Sequence, residues 1–294
     1  MRAGASLLVL PALVACSGGG SSSPEAGPVA EPVPPGWVYG LTLDAVDDLD
    51  AIVAAVAGLP RRPAVRIVFD ENVPPTAYAE AVTRLAAVAD IQGEVLDSSA
   101  MAGISRSDYV ARTEAYLQAF GGQVSQWEIG NEINGDWLGP GAIDKAHDAF
   151  QRVEAAGGNT TLTLYYNAGC EDSNGPMMDW VRDNVPTDMR AGLEQVTVSY
   201  YEDDCHGRVV PQDEWVRVFS ELQTMFPSAR LLMGEVGTES VAAKATLLQR
   251  YYGEMRLPEV PAFAGGFFWW YGRQDFVPRE SRHWTLLASL WGSD

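Results

Sequence analysis

The stretch "WEIGNEING", Trp127 to Gly135, starts as a β-favouring run, closes on Asn131 and Glu132, and then breaks into glycine and turn residues. A carboxylate at the end of an apolar strand is ordinarily no more than the first polar residue of a loop. Its meaning depends on whether the rest of the chain repeats the pattern, because a strand end counts for more when many strands end on the same side of a sheet.

The pattern does repeat. After Trp37 come "WVYGLTL", "AVRIVFD", "GEVLDSS", "SQWEIGN", "TLTLYYN", "VTVSYYE", "RLLMGEV" and "GGFFWWYG", eight short β-rich runs spaced about 27 to 36 residues apart. That interval holds one strand and one crossover helix. The segments between them, such as "DDLDAIVAAVAGLP" and "TAYAEAVTRLAAVAD", space their aliphatic residues three and four apart, as helices do. Alternation of this kind predicts a parallel sheet, and eight units predict closure into a single (β/α)8 TIM barrel over residues 37–294. A doubly wound open sheet is the alternative, but no GxGxxG or GxxxxGK loop follows the first run.

The preceding residues form no part of this core. "MRAGASLLVLPALVAC" has one basic residue, an apolar run too short to cross a bilayer, and a small residue before Cys16. Residues 1–15 read as an export signal. "LVAC" resembles a bacterial lipobox, which implies cleavage before Cys16, lipidation of its thiol and a cell-envelope location, with membrane contact through that lipid only. The Ser-, Gly- and Pro-rich residues 16–36 read as a tether. The formal net charge of −19 disfavours nucleic acid and anionic surfaces and points to a neutral or cationic partner. With Cys16 lipidated, Cys170 and Cys205 remain; they follow runs five and six, neighbours in a barrel, and are expected to form a disulfide.

In a (β/α)8 barrel the chemistry sits at the carboxyl ends of the strands. Glu132 finishes the fourth run, and Glu235 finishes the seventh inside apolar sequence, where an unpaired carboxylate is costly. Two carboxylates facing each other across a barrel mouth are what glycoside hydrolysis requires. The alternative use of two such glutamates is pairing with Arg66 or holding a cation.

"WEIGNE" at strand four and an apolar strand seven ending in Glu235 resemble clan A retaining glycoside hydrolases, the (β/α)8 superfamily that includes cellulases, mannanases and β-xylosidases. The resemblance covers the whole chain after the tether. It implies Glu132 as acid/base, Glu235 as nucleophile and Asn131 as the residue on the sugar 2-hydroxyl. More loosely, it implies Arg66 beside the nucleophile, Tyr201 as the strand-six tyrosine, and Trp269 or Trp270 as the floor of the sugar site. Trp137, after strand four, is a further candidate for substrate contact.

The sequence also departs from the clan. Ser199 stands where many members have a histidine before the strand-six tyrosine, and "LDSS" replaces a histidine after strand three. His147, His206 and His283 are scattered and read as surface residues. No cofactor is called for: "DAVDDLD" lacks the glycine and closing glutamate of an EF-hand, "FDEN" and "YYEDDCH" read as polar subsites rather than metal loops, and no GxSxG elbow exists. The expected partner is a carbohydrate, met by a monomer through an open cleft. The competing function is a non-catalytic glycan-binding lipoprotein on a decayed barrel.

Overall fold

The computed structural model describes residues 36–168, 170 and 173–293. The expected signal, Cys16 and all of the tether except Gly36 lie outside the described residues. Eight strands close a parallel barrel: β1 (Val38–Leu43), β2 (Ala64–Val68), β3 (Asp90–Glu94), β4 (Val124–Gly130), β5 (Thr160–Tyr165), β6 (Gln195–Ser199), β7 (Arg230–Val236) and β8 (Phe263–Trp269). Each pairs with the next in sequence, and β8 pairs with β1. The eight-run reading therefore holds as a TIM barrel.

Outward residues such as Val65, Ile67, Ile91, Trp127, Ile129, Leu162, Val196 and Leu231 are fully or almost fully buried beneath the helices and form the main apolar core. The final helix, Arg282–Gly292, buries Trp284 and Trp291, and Ser281 caps it by accepting from the Trp284 N–H. On β8, Gly266 has φ +97, and a Cβ there would land on the Met233 carbonyl. Only glycine lets β7 and β8 approach so closely.

The barrel lumen is different. Branched aliphatic residues usually fill it. Here Arg66, Gln92, Glu94, Glu128, Thr163 and Thr197 are buried and bonded or ion-paired to one another, with Thr163 and Thr197 sharing a hydroxyl contact of 2.7 Å. The same polarity moves one strand from its expected place. The third run was centred on "GEVLDSS", but β3 is Asp90–Glu94, "DIQGE". An apolar-run criterion passes over a strand whose inward residues, Gln92 and Glu94, are polar because they face the lumen.

Cys170 and Cys205 are disulfide-bonded with Cα atoms 4.5 Å apart, tying the loop after β5 to the loop after β6. Both loops leave the carboxyl ends of their strands. Replacing both cysteines with alanine should cost about 4 kcal/mol of stability by the loop-entropy estimate. Denaturant unfolding of the oxidised protein and the double variant checks this, and an unchanged midpoint would show that the bridge adds nothing to the fold.

Candidate active site

The end of β4 builds the first half of the site. Trp127 and Ile129 point into the outer core, so Glu128 between them points into the lumen, and Asn131 and Glu132 emerge at the mouth. Glu132 has φ +46, in the left-handed region that side-chain-bearing residues seldom adopt. The neighbouring backbone holds it there: the Gly135 N–H donates to the Glu132 carbonyl at 2.8 Å, and the Ile133 N–H donates to the Thr163 carbonyl at 3.0 Å. Strain maintained in this way concentrates at functional positions.

The end of β7 supplies the second half. The Glu235 N–H donates to Ser199 Oγ at 3.1 Å, and the Tyr200 N–H donates to the Glu235 carbonyl at 2.9 Å. The Glu235 carboxylate is engaged on both oxygens. Oε1 accepts from Asn131 Nδ2 at 2.7 Å and lies 2.6 Å from Arg66 Nη2; Oε2 accepts from the Tyr201 hydroxyl at 2.9 Å. The two positions that depart from the clan thus have local work. Ser199 braces the Glu235 backbone, and Ser98 of "LDSS" donates its N–H to Asn131 Oδ1 at 3.0 Å and its hydroxyl to Glu132 Oε2 at 3.3 Å.

Arg66 reaches further than the sequence indicates. Besides Glu235 it binds Glu128 through two nitrogens, at 2.5 and 3.0 Å, and lies 2.9 Å from Glu94. Sequence reasoning missed both glutamates. The available signal was parity: each falls on an inward position of its strand, the two level with each other and two residues beyond the Arg66–Gln92 pair. Oxygens of Glu94, Glu128 and Glu235 lie within 4.8 Å of one another, a spacing that suits a cation, but the Arg66 guanidinium already touches all three. The positive charge of this cluster comes from the arginine.

The electrostatics separate the two mouth glutamates. Burial pushes the Glu132 carboxyl well above the usual range, and the charges of Glu235 and Asp97 push it further; Arg66 and the Ser98 hydroxyl oppose this only in part. Glu132 Oε1 is buried without a hydrogen-bond partner among the described residues. Glu235 is also raised, by burial and by the charges of Glu128 and Asp97, but Arg66 and the Tyr201 hydroxyl oppose this and leave it less raised than Glu132. A proton shared between the two therefore belongs on Glu132, leaving Glu235 ionised.

The tryptophans divide in the same way. Trp269 is fully buried, donates its indole N–H to Asp275 at 2.8 Å and packs near Phe276, so it lines the outer core rather than the mouth. Trp270, half-buried, has its ring 5.7 Å from the Arg66 guanidinium carbon. Trp137 is 39% exposed and meets Tyr165 edge-on at 5.3 Å between centroids. None of the three histidines joins the carboxylates: His147 pairs with Asp188, His283 sits near Asp275, and His206 is exposed. A hollow of about 680 Å³ beside Tyr166 and Met177 lies to one side, and its Glu214 is already bound to Arg208 and Tyr166.

No protein-family profile matches the chain, and no characterised protein matches it by sequence. Its fold is similar to that of Saccharomyces cerevisiae Gas2p, at 15% identity and a TM-score of 0.56, with 88% of this chain and 61% of that chain aligned. Gas2p in complex with laminaritetraose and laminaripentaose aligns at 14% identity and a TM-score of 0.56, over 88% and 64%. A GH5-4 broad-specificity endoglucanase from an uncultured bacterium aligns at 12% and 0.56, over 87% and 94%. This chain thus spans 61% of the length of the ligand-free Gas2p chain. At these identities the likeness is one of fold.

Replacing Arg66 with methionine should strand buried carboxylates and cost about 3 to 5 kcal/mol. The cost should grow with pH. Without the guanidinium, Glu94, Glu128 and Glu235 would have folded-state pKa values above their unfolded ones, so the folded state binds more protons and loses stability as pH rises through those values. Urea unfolding at pH 5 and pH 8 checks this, and a cost independent of pH would contradict it.

Proposed function

We propose that the chain is a retaining glycoside hydrolase in which Glu235 is the nucleophile and Glu132 the acid/base. The observation that carries this reading is the asymmetry at the mouth. One strand-end glutamate is held ionised by Arg66, Asn131 and Tyr201, while the other is strained, buried and placed to keep a proton. The fold likeness to glucan-processing enzymes, together with the oligosaccharides in the Gas2p complex, makes laminari-oligosaccharides and cellulose-type glucans the first substrates to test.

In the first step a Glu235 carboxylate oxygen attacks the anomeric carbon, the glycosidic bond breaks, and Glu132 gives its proton to the leaving oxygen. Asn131, already bonded to Glu235 Oε1, is placed to reach the sugar 2-hydroxyl beside the reacting carbon. Trp270 provides the apolar face for the sugar ring. In the second step Glu132, now a carboxylate, takes a proton from water as the water oxygen attacks the anomeric carbon and the ester to Glu235 breaks. Ester formation removes the charge on Glu235. This lessens repulsion on Glu132 and suits its change from acid to base.

The proposal also places the barrel outside the cytoplasm as a monomer, anchored through lipid on Cys16. The Cys170–Cys205 disulfide supports an oxidising compartment. Cys16→Ser should then move the protein from the membrane fraction to the soluble fraction of a lipoprotein-processing bacterial host. Retention on membranes would contradict anchoring through that residue.

Glu235→Gln should lower kcat/KM by about 10⁴-fold with the fold intact, because the amide cannot form the glycosyl ester. Glu132→Ala should instead accumulate glycosyl-enzyme from an aryl β-glycoside with a good leaving group, and azide should restore turnover as a β-glycosyl azide. A panel of glycans and aryl glycosides left intact by the wild-type protein would favour the non-catalytic glycan-binding alternative. An azide product of opposite configuration would overturn the double displacement.

A further inference from the structure

The Arg66 cluster holds more carboxylates than one guanidinium can balance. Nη2 has two protons, yet it lies 2.6 Å from Glu235 Oε1, 3.0 Å from Glu128 Oε1 and 2.9 Å from Glu94 Oε2. Three ionised groups around one cation would leave two net negative charges in a buried lumen, at a large desolvation cost. A proton on one of them removes half of that excess.

The donor count shows where the proton resides. Glu128 Oε2 accepts from Arg66 Nε at 2.5 Å and from Gln92 at 3.0 Å; Oε1 accepts from Arg66 Nη2, from Thr163 at 2.5 Å and from Asn131 at 3.3 Å. Such a set stabilises the anion. Glu235 has the donors Asn131 and Tyr201 and an ion pair with Arg66. Glu94 is close to Nη2 but lies off its N–H directions, and neither of its oxygens has a hydrogen-bond partner among the described residues.

We propose that Glu94 and Glu128 are positioning residues for Glu235 that hold opposite protonation states. Glu128 is the carboxylate that anchors Arg66 and Asn131, and Glu94 is the carboxylic acid that fills the third place on the guanidinium without adding charge. Arg66 is the ion-pair partner of Glu235 and Asn131 one of its hydrogen-bond donors, so a shift of Glu128 displaces both of them at once. The charged and titratable groups facing Glu94 agree with this assignment. Arg66 on β2 favours its anion, whereas burial, Glu128 on β4, Glu235 on β7 and Asp97 on its own loop together hold its carboxyl well above the usual range. Tyr109, on the helix Arg106–Phe120, faces the same pair and donates its hydroxyl to the Ile129 carbonyl. Glu128 is held below the usual range: burial opposes this, but Arg66, Thr163 and Gln92 outweigh it.

The kinetic half of the test rests on Glu235 being the nucleophile; the protonation half does not. Glu128→Gln should lower kcat/KM about 100-fold at the wild-type optimum, mostly in kcat, and should move the acid limb of the pH profile up by roughly 0.5 unit or more. The limb moves up because displaced Arg66 and Asn131 no longer hold the Glu235 anion, a loss larger than the gain from removing the like charge of Glu128. A residue that only supports the fold would lower activity with the limb in place, and that result, or a downward shift from the lost charge alone, would overturn the anchoring role.

For Glu94 the readout is proton uptake on folding. A buried acid that keeps its proton while the unfolded chain has lost it makes the folding constant fall with pH, by up to tenfold per unit. Glu94→Gln should make the fall between pH 5 and pH 8 shallower by about that amount. An identical pH dependence in the two proteins would show that Glu94 is ionised and would overturn the assignment. This arm decides the protonation claim even if Glu128→Gln fails to fold or if the chain hydrolyses no glycan.

Discussion

The structure depends on one guanidinium. Arg66 stands on β2 in the lumen and is the counter-charge for carboxylates from β3, β4 and β7. The inward charges of the paired strands β3 and β4 and of β7, farther round the barrel, are thus brought to a single point. The polar lumen follows from this. Once the arginine and its carboxylates are inside, Gln92, Thr163 and Thr197 are needed to complete their hydrogen bonds, and branched aliphatic packing moves to the outer face of the strands.

The same constraint shapes the mouth of the barrel. Asn131 is bonded to Glu128 below and Glu235 above, and Ser98 fixes its carbonyl end, so its amide orientation is set by the cluster. Glu132, one residue later, is turned into the left-handed region and cut off from the guanidinium's direct contacts. A single charge distribution therefore holds the Glu132 carboxyl further above the usual range than that of Glu235, the order that the proposed double displacement needs.

Much of this was legible in the sequence because strand ends and strand spacing are local properties. Seven of the eight runs, the two mouth glutamates, Asn131, Arg66, Tyr201 and the cysteine pair fall where a barrel reading puts them. What escaped was set by contacts between strands. β3 was centred several residues late because "DIQGE" has little apolar content, and its polar residues make sense only beside Arg66 and Glu128. Glu128 was hidden inside the quoted "WEIGNE", four residues before the glutamate that attracted attention. Trp269 and Trp270 were indistinguishable because Gly265, Gly266 and Phe267 all have positive φ, which breaks the simple alternation from which side-chain direction is counted. The roles of Ser98 and Ser199 depend on partners 33 to 36 residues away and have no local signature.

The central claim is that Glu235 becomes covalently bonded to sugar. The most direct measurement is mass spectrometry of the protein after incubation with activated 2-deoxy-2-fluoro-β-glycosides, whose fluorine slows release of the glycosyl-enzyme more than its formation. The account predicts a mass increase of one fluorosugar, mapped after proteolysis to the peptide carrying Glu235 and absent from Glu235→Gln. An adduct on another carboxylate, or active enzyme that releases sugar of inverted configuration and never acquires the label, would contradict it.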